Sequence, residues 1–285
     1  MNYNENQLKE IFENYLSQVL AKFKNDLPTQ TVKYVLSNGG KRVRPVLCLM
    51  VAQVLSVDFE KVLPFACALE IIHNSSLVHD DLPALDNDDI RRGQPSCHKK
   101  FGESSAILCG DVLLNFAYEY ALENISDMRG VKCLKMIAEY SGINGMLGGQ
   151  FKDVYAEKNN CGNLELLNEI QLLKTAKLIT ASVLIPTFFV ENGYFNEFEE
   201  YGVNLGVAFQ IVDDVLDEIG NEKLLGKTLG KDLKNGKLTS IKAIGLENSK
   251  KRAFELTHKA IDAISKIKGY EPLKEFALKL CGRIY

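Results

Sequence analysis

Apolar residues recur at intervals of three and four along nearly the whole chain and almost nowhere alternate one-for-one with polar ones. A 3.6-residue period belongs to amphipathic helices and a two-residue period to half-buried strands, so this pattern restricts the chain to an all-α fold. The spacing predicts helices over about 5–24, 29–38, 42–56, 60–82, 103–125, 130–148, 163–174, 176–191, 196–219, 238–246, 249–266 and 270–282. Only seven prolines occur and no Pro/Ser-rich linker divides the 285 residues, so a single helical domain over 1–285 is expected.

Composition narrows the function classes. Hydrophobic residues make up 46% and charged residues 25%, enough apolar material for a core. The net charge of −3 gives no general affinity for nucleic acid or an anionic membrane, so any anionic ligand must be held by local cations. The seven cysteines are odd in number and form no C-x-x-C pair or Cys/His ligand spacing, as expected of reduced thiols. The polar, acidic start Met1-Asn2-Tyr3-Asn4-Glu5-Asn6 does not read as a secretory signal. The most apolar run, Leu178 to Val190, falls short of the roughly 20 residues of a bilayer span and contains Pro186; it reads as a buried helix, with no transmembrane segment expected.

Against this background, acidic residues cluster twice. Gly206, Gln210, Asp213, Asp214 and Asp217 fall at helical spacing and form one polar stripe backed by Phe209, Ile211, Val212, Val215 and Leu216. Three carboxylates near a helix C-terminus repel one another and the negative end of the helix dipole, so something positive must compensate. Upstream, Asp80, Asp81, Asp86, Asp88 and Asp89 lie within ten residues, with His73, Ser76, Leu77 and Asp80 on one helical face. Pro83 forces Leu82 out of the α region, so Asp86 is expected on a turn folding back toward Asp80 and Asp81. Carboxylate ligands without thiolates or a His-x-x-x-His pair suit Mg²⁺, which prefers a few carboxylates plus substrate phosphate oxygens. A phosphorylated ligand is therefore implied. The alternative for either cluster alone is a solvated helix end.

Cations adjoin both clusters. Arg91 and Arg92 follow the first, Gly40-Lys41-Arg42-Val43-Arg44 lies upstream, and Lys227, Lys231 and Lys237 follow the second on a polar stretch, 221–236, that is expected to be a loop able to close over a ligand. Neither G-x-x-x-x-G-K-[ST] nor G-x-G-x-x-G is present, which argues against a nucleotide as owner of the phosphates.

Taken in order, Gly39-Gly40-Lys41-Arg42-Val43-Arg44-Pro45, Asp80-Asp81-Leu82-Pro83-Ala84-Leu85-Asp86 through Arg91-Arg92-Gly93, Gly148-Gly149-Gln150, Lys174-Thr175 and Phe209-Gln210-Ile211-Val212-Asp213-Asp214-Val215-Leu216-Asp217 resemble the trans-prenyl diphosphate synthases, and among them the bacterial farnesyl diphosphate synthase group, over nearly the whole chain. The resemblance implies a helical bundle around a deep cavity, a cytoplasmic homodimer, and aspartate motifs facing each other across the cavity mouth. About three Mg²⁺ ions would bridge Asp80, Asp81, Asp86, Asp213, Asp214 and Asp217 to an allylic diphosphate. By the same resemblance Gly40, Lys41, Arg44, His73 and Arg92 would hold isopentenyl diphosphate. Arg91, Lys174, Lys227 and Lys237 would grip the allylic diphosphate, and Thr175 and Gln210 would lie beside the reacting carbons. Gln150 and Asp153, at helical spacing after Gly148-Gly149, read as partners of the lysines or as simple helix polarity, and His79 as structural or a neighbour of the first cluster.

Product length in this family is implied to depend on Ser75 and Ser76, about one turn below the first motif. Farnesyl synthases of this group carry an aromatic where this chain has Ser75; the small side chain leaves the floor open unless Phe116 or Tyr118 fills the space. A farnesyl product is expected, with geranylgeranyl as the alternative. A class I terpene cyclase would need no isopentenyl site, a non-catalytic helical subunit would not need all six aspartates, and a phosphohydrolase would need a water-activating base.

Overall fold

The computed structural model describes residues 3–159, 161–219 and 237–284; the predicted loop with Lys227 and Lys231 lies outside them. The helices follow in the order α1 (Glu5–Ala21), α2 (Leu27–Ser37), α3 (Val43–Val54), α4 (Phe59–Asp80), α5 (Cys97–Phe101), α6 (Glu103–Glu123), α7 (Met128–Ser141), α8 (Met146–Lys158), α9 (Leu164–Ile170), α10 (Lys177–Leu184), α11 (Phe195–Ile219), α12 (Ser240–Ile244), α13 (Leu246–Ile264) and α14 (Glu271–Cys281). The only strands among the described residues are Ile90–Arg91 and Gln94–Pro95, an antiparallel hairpin after α4. The all-α expectation holds.

Helix starts follow their capping chemistry. Asn4 accepts from the Gln7 amide while Gln7 returns a bond to the Asn4 backbone, and Asp26 and Thr29 do the same for α2. At the centre, α4 is apolar around most of its circumference, with Val62, Leu69, Ile71 and Ile72 fully or almost fully buried, as befits a helix surrounded on all sides. It packs on α3 and α6, while α11 packs on α10 and α13. The run Leu164–Phe189 is long and apolar enough to cross a bilayer by length and composition, yet 67% of its most apolar window is buried inside the protein, the behaviour of a core helix.

Two of the differences from the predicted boundaries bear on the site. The helix expected over 130–148 ends at Ser141, Gly142 to Gly145 interrupts it, and α8 begins at Met146 and runs on to Lys158. Conversely, the break expected near 175 is absent: α9 passes through a π-turn, Gln171–Ala176, directly into α10. The wider π-turn accommodates an extra residue without ending the helix, and such bulges gather at functional sites. Gly149 on α8 explains the close approach there: a Cβ would come 2.3 Å from the Lys174 backbone nitrogen.

Candidate active site

The segment between α2 and α3 shows how the basic motif is divided. Arg42 is buried at a left-handed φ of 51° and turns inward, bonding Glu13 at 2.8 Å, Glu70 at 3.0 Å and the Leu36 carbonyl at 2.6 Å. Removing one partner of such a buried pair costs about 3–5 kcal/mol, so Arg42 is a strut for its neighbours. Lys41 and Arg44 line the central cavity. Burial and the nearby Arg283 pull the Lys41 ammonium below its usual value, with Asp213 opposing. Gly40, at φ 118°, lets the Arg92 guanidinium sit against the backbone, since a Cβ would lie 2.7 Å from Arg92 Cζ. Arg92 donates to the Gly39 carbonyl at 2.6 Å and to Asn74 Oδ1 at 3.1 Å.

The first aspartate motif begins as α4 ends. The chain turns back as expected: the Asp86 amide donates to the Asp80 carbonyl at 2.9 Å and Asp88 to the Asp81 carbonyl at 3.2 Å. Gln150 Nε2 donates to Asp80 Oδ1 at 2.7 Å. Burial pushes the Asp80 carboxyl up to about 6, with Asp86 adding to it and Lys174 and Arg91 opposing. Asp81 is buried and clamped by Arg91, whose Nε lies 2.9 Å from Oδ1 and whose Nη2 also contacts it; Arg91 reaches Asp88 at 3.3 Å as well. His73 lies in the cavity wall, where burial and the guanidiniums of Arg44 and Arg92 hold its imidazole well below the ordinary range. It is therefore a neutral donor at pH 7, not a further cation.

Opposite, α11 and the π-turn supply the other wall. Lys174 Nζ is 2.6 Å from Asp153 Oδ2. Thr175 Oγ1 donates to Gln210 Oε1 at 2.5 Å, and Gln210 Nε2 donates to Asp214 Oδ1 at 2.9 Å. Asp214 Oδ2 accepts from the Ser240 amide at 2.9 Å, so both its oxygens are engaged by protein donors. Asp213 Oδ1 lies 3.4 Å from Arg283 Nη1.

These walls face one cavity of about 550 Å³. Gly40, Lys41, Arg44, His73 and Arg92, the residues expected around isopentenyl diphosphate, lie on it. So do Asp80 and Asp213, one from each cluster, together with Arg91, Lys174, Thr175, Gln210 and Ser76. Lys237 and Asp214 border a smaller space of about 30 Å³ that shares Lys174, Thr175 and Gln210. Asp81 borders a separate pocket with Arg91 and Arg92. Asp217 and Ser75 are buried, Asp86 is half-buried, and none of the three lines the cavity; the Ser75 hydroxyl donates to the Ile72 carbonyl at 2.8 Å. Neither bulky candidate fills the floor: Phe116 meets Phe23 edge-on with ring centres 4.9 Å apart and lines an outer groove, and the Tyr118 hydroxyl bonds Ser141 at 2.6 Å. Lys227 lies outside the described residues.

Among the described residues no group of three Asp, Glu, His or Cys side chains converges tightly enough to enclose a metal. The donor set is hard oxygen, and burial raises the Asp80 carboxyl, a desolvation cost that a bound cation would offset. Few carboxylates with ligand oxygens completing the shell is the manner in which Mg²⁺ binds, so these residues fit that ion. Arg283 is a residue the sequence reading missed, for its link to Asp213 spans 70 residues.

Known proteins share both sequence and shape. The polyprenyl synthetase family matches residues 25–270. Geranylgeranyl diphosphate synthase of Cyanophora paradoxa is 41% identical over 90% of this chain and 87% of its own. The crystal structure of geranyltransferase from Helicobacter pylori complexed with magnesium and isoprenyl diphosphate superposes with a TM-score of 0.84 at 28% identity, covering 99% of this chain and 97% of that one. Geranyltransferase from Legionella pneumophila gives 0.87 at 31%, with 98% and 96% covered. A match of this extent in sequence and fold, around two aspartate motifs that meet on one cavity, means that the chain belongs to the polyprenyl synthetase family, the trans-prenyl diphosphate synthases.

Proposed function

We propose that this enzyme joins isopentenyl diphosphate to an allylic diphosphate in the central cavity, and that Asp80 and Asp213 are the metal-facing members of their clusters. The observation that carries this reading is that these two carboxylates, from segments more than a hundred residues apart in sequence, line the same cavity beside cations of both expected sets. Mg²⁺, when bound, supplies positive charge that draws the diphosphate away from the allylic carbon. Lys174, Arg91 and Lys237 steady the departing group, with Lys227 added from the segment outside the described residues. Lys41, Arg44 and Arg92 hold the second diphosphate, and neutral His73 donates one hydrogen bond to it. Thr175 and Gln210 present oxygen dipoles to the developing allylic cation without a nucleophile strong enough to trap it. No side-chain base is assigned; the proton leaves to the released diphosphate.

A farnesyl product follows from the overall resemblance and from neighbours described as geranyltransferases. A geranylgeranyl product is the second reading. It is favoured by the small Ser76 on the cavity wall, by Phe116 and Tyr118 pointing elsewhere, and by the activity for which the Cyanophora relative is named. The enzyme acts as a homodimer in this proposal: Phe151 and Tyr155 recur one turn apart on α8 and are 76% and 58% exposed, apolar surface that a second copy would cover.

The test is incubation with Mg²⁺, isopentenyl diphosphate and, in turn, dimethylallyl, geranyl and farnesyl diphosphate, followed by sizing of the products. Consumption of farnesyl diphosphate to a longer product selects the geranylgeranyl reading. Accumulation of farnesyl diphosphate selects the other. Failure to consume isopentenyl diphosphate with any of the three overturns the function.

A further inference from the structure

Gln171 is absent from every motif discussed so far, yet it is 1% exposed and sits at the start of the π-turn that carries Lys174 and Thr175. Its Nε2 donates to Ser240 Oγ at 2.7 Å. Ser240, also fully buried, sends its backbone amide to Asp214 Oδ2 at 2.9 Å. Asp214 Oδ1 receives Gln210 Nε2, and Gln210 Oε1 receives Thr175 Oγ1, one turn along from Gln171. The bonds therefore close a ring through three separate elements: the π-turn, α11 and the start of α12.

The ring also has a direction. Asp214 accepts only, which fixes the Gln210 amide with its NH₂ toward Asp214 and its oxygen toward Thr175. That oxygen takes the Thr175 hydroxyl proton, so the Thr175 oxygen is left as an acceptor on the cavity wall. Release of Asp214 would let the Gln210 amide turn over and reverse that polarity.

We propose that Gln171 is a positioning residue for prenyl transfer: through Ser240 it holds Asp214, and through Asp214 the Gln210–Thr175 pair, in register with the π-turn that bears Lys174. Asp214 is on this view the fixed link of the second cluster, and Asp213 its outward-facing carboxylate. The inference rests on the prenyl-transfer reading above.

Its test uses the full chain with Mg²⁺, geranyl diphosphate and isopentenyl diphosphate, comparing Gln171→Leu, Ser240→Ala and the double variant. Ser240→Ala removes the side-chain link but keeps the backbone amide that reaches Asp214. Each single change is expected to lower kcat about tenfold or more, as small misplacements of reacting groups do. The KM for isopentenyl diphosphate, bound on the opposite wall, should stay within about twofold in every variant, and so should the pattern of thermal unfolding for Ser240→Ala. Because both changes cut the same bond, the double variant should be no slower than the slower single one. Multiplying losses in the double variant, an unchanged kcat in Ser240→Ala, or a loss that simply tracks melting would overturn the positioning role. If Gln171→Leu does not fold, the split between kcat and KM in Ser240→Ala decides alone. An inactive wild type would instead defeat the functional reading itself, whereas an active wild type with indistinguishable variants defeats only the inference.

Discussion

The two acidic clusters resemble each other in sequence and differ in how the fold restrains them. At the end of α4 the restraint is ionic: Arg91 clamps Asp81, and the chain turns back so that Asp86 adds its charge to the environment of Asp80. On α11 neutral donors contribute, the Gln210 amide and the Ser240 backbone amide to Asp214, with Arg283 beside Asp213. In each pair of adjacent aspartates one carboxylate lines the main cavity, Asp80 beside Gln150 and Asp213 beside Arg283, while its neighbour is held away from it. Arg91 on Asp81, Gln150 on Asp80 and Arg283 on Asp213 supply the donors and positive charge that let these acidic groups stay close in the folded chain.

The sharpest way to break this comparison is to remove the outward members. Asp80→Ala and Asp213→Ala should each lower turnover by about a thousandfold or more while the far-ultraviolet circular dichroism stays that of the wild type, because both act on charge developing in the transition state. Turnover within tenfold of wild type in either variant would mean that the cavity-facing carboxylates are not the working ones.

Much of this was legible in the chain. The 3.6-residue period gave the helices, and Pro83 correctly foretold the reversal that brings Asp86 back to Asp80. Local rules went astray where glycines clustered, since Gly142 and Gly145 break a helix that composition alone would continue through 148. The partnership of Asp153 with a lysine, Lys174, is one the spacing allows, whereas Gln150 bonds Asp80 and not a lysine. What could not be read were links with no local period: Arg283 on Asp213 and Gln171 on Ser240 join residues about seventy apart, and neither side chain is unusual where it stands. The π-turn was likewise hidden, because widening a helix by one residue leaves its apolar spacing almost intact.

A second, smaller effect separates the roles of the two walls. The α4 wall carries Ser76 one turn before Asp80, so Ser76→Phe should shorten the principal product by one isoprene unit with turnover of the shorter substrate largely preserved. Ser75→Phe should not shift the product in the same way. Its hydroxyl is committed to the Ile72 carbonyl away from the cavity, and the added ring should cost about 1–3 kcal/mol of stability by overpacking. Chromatography of products from both variants checks the pair, and an unchanged spectrum with Ser76→Phe would place the length limit on the α11 side instead.

The smallest effect concerns stability. Asp80 titrates near 6 in the folded chain against an ordinary value of 3.8, burial being the main cause, so between those pH values the native state binds more protons than the unfolded one. Stability must then fall as pH rises through that window, and the penalty is fully present above about pH 6. Below 3.8 it is absent. Asp80→Asn, which keeps an oxygen to accept from Gln150, should therefore stabilise the metal-free protein at pH 8 by on the order of 1 kcal/mol after allowance for partial exposure, although it eliminates turnover. Urea unfolding at pH 8 and at pH 4.5 measures the difference. A gain at pH 8 that shrinks toward pH 4.5 would show that the outward carboxylate is held at a cost to the fold, whereas a variant less stable than wild type at pH 8 would mean that the neighbouring Lys174 and Arg91 already outweigh its burial.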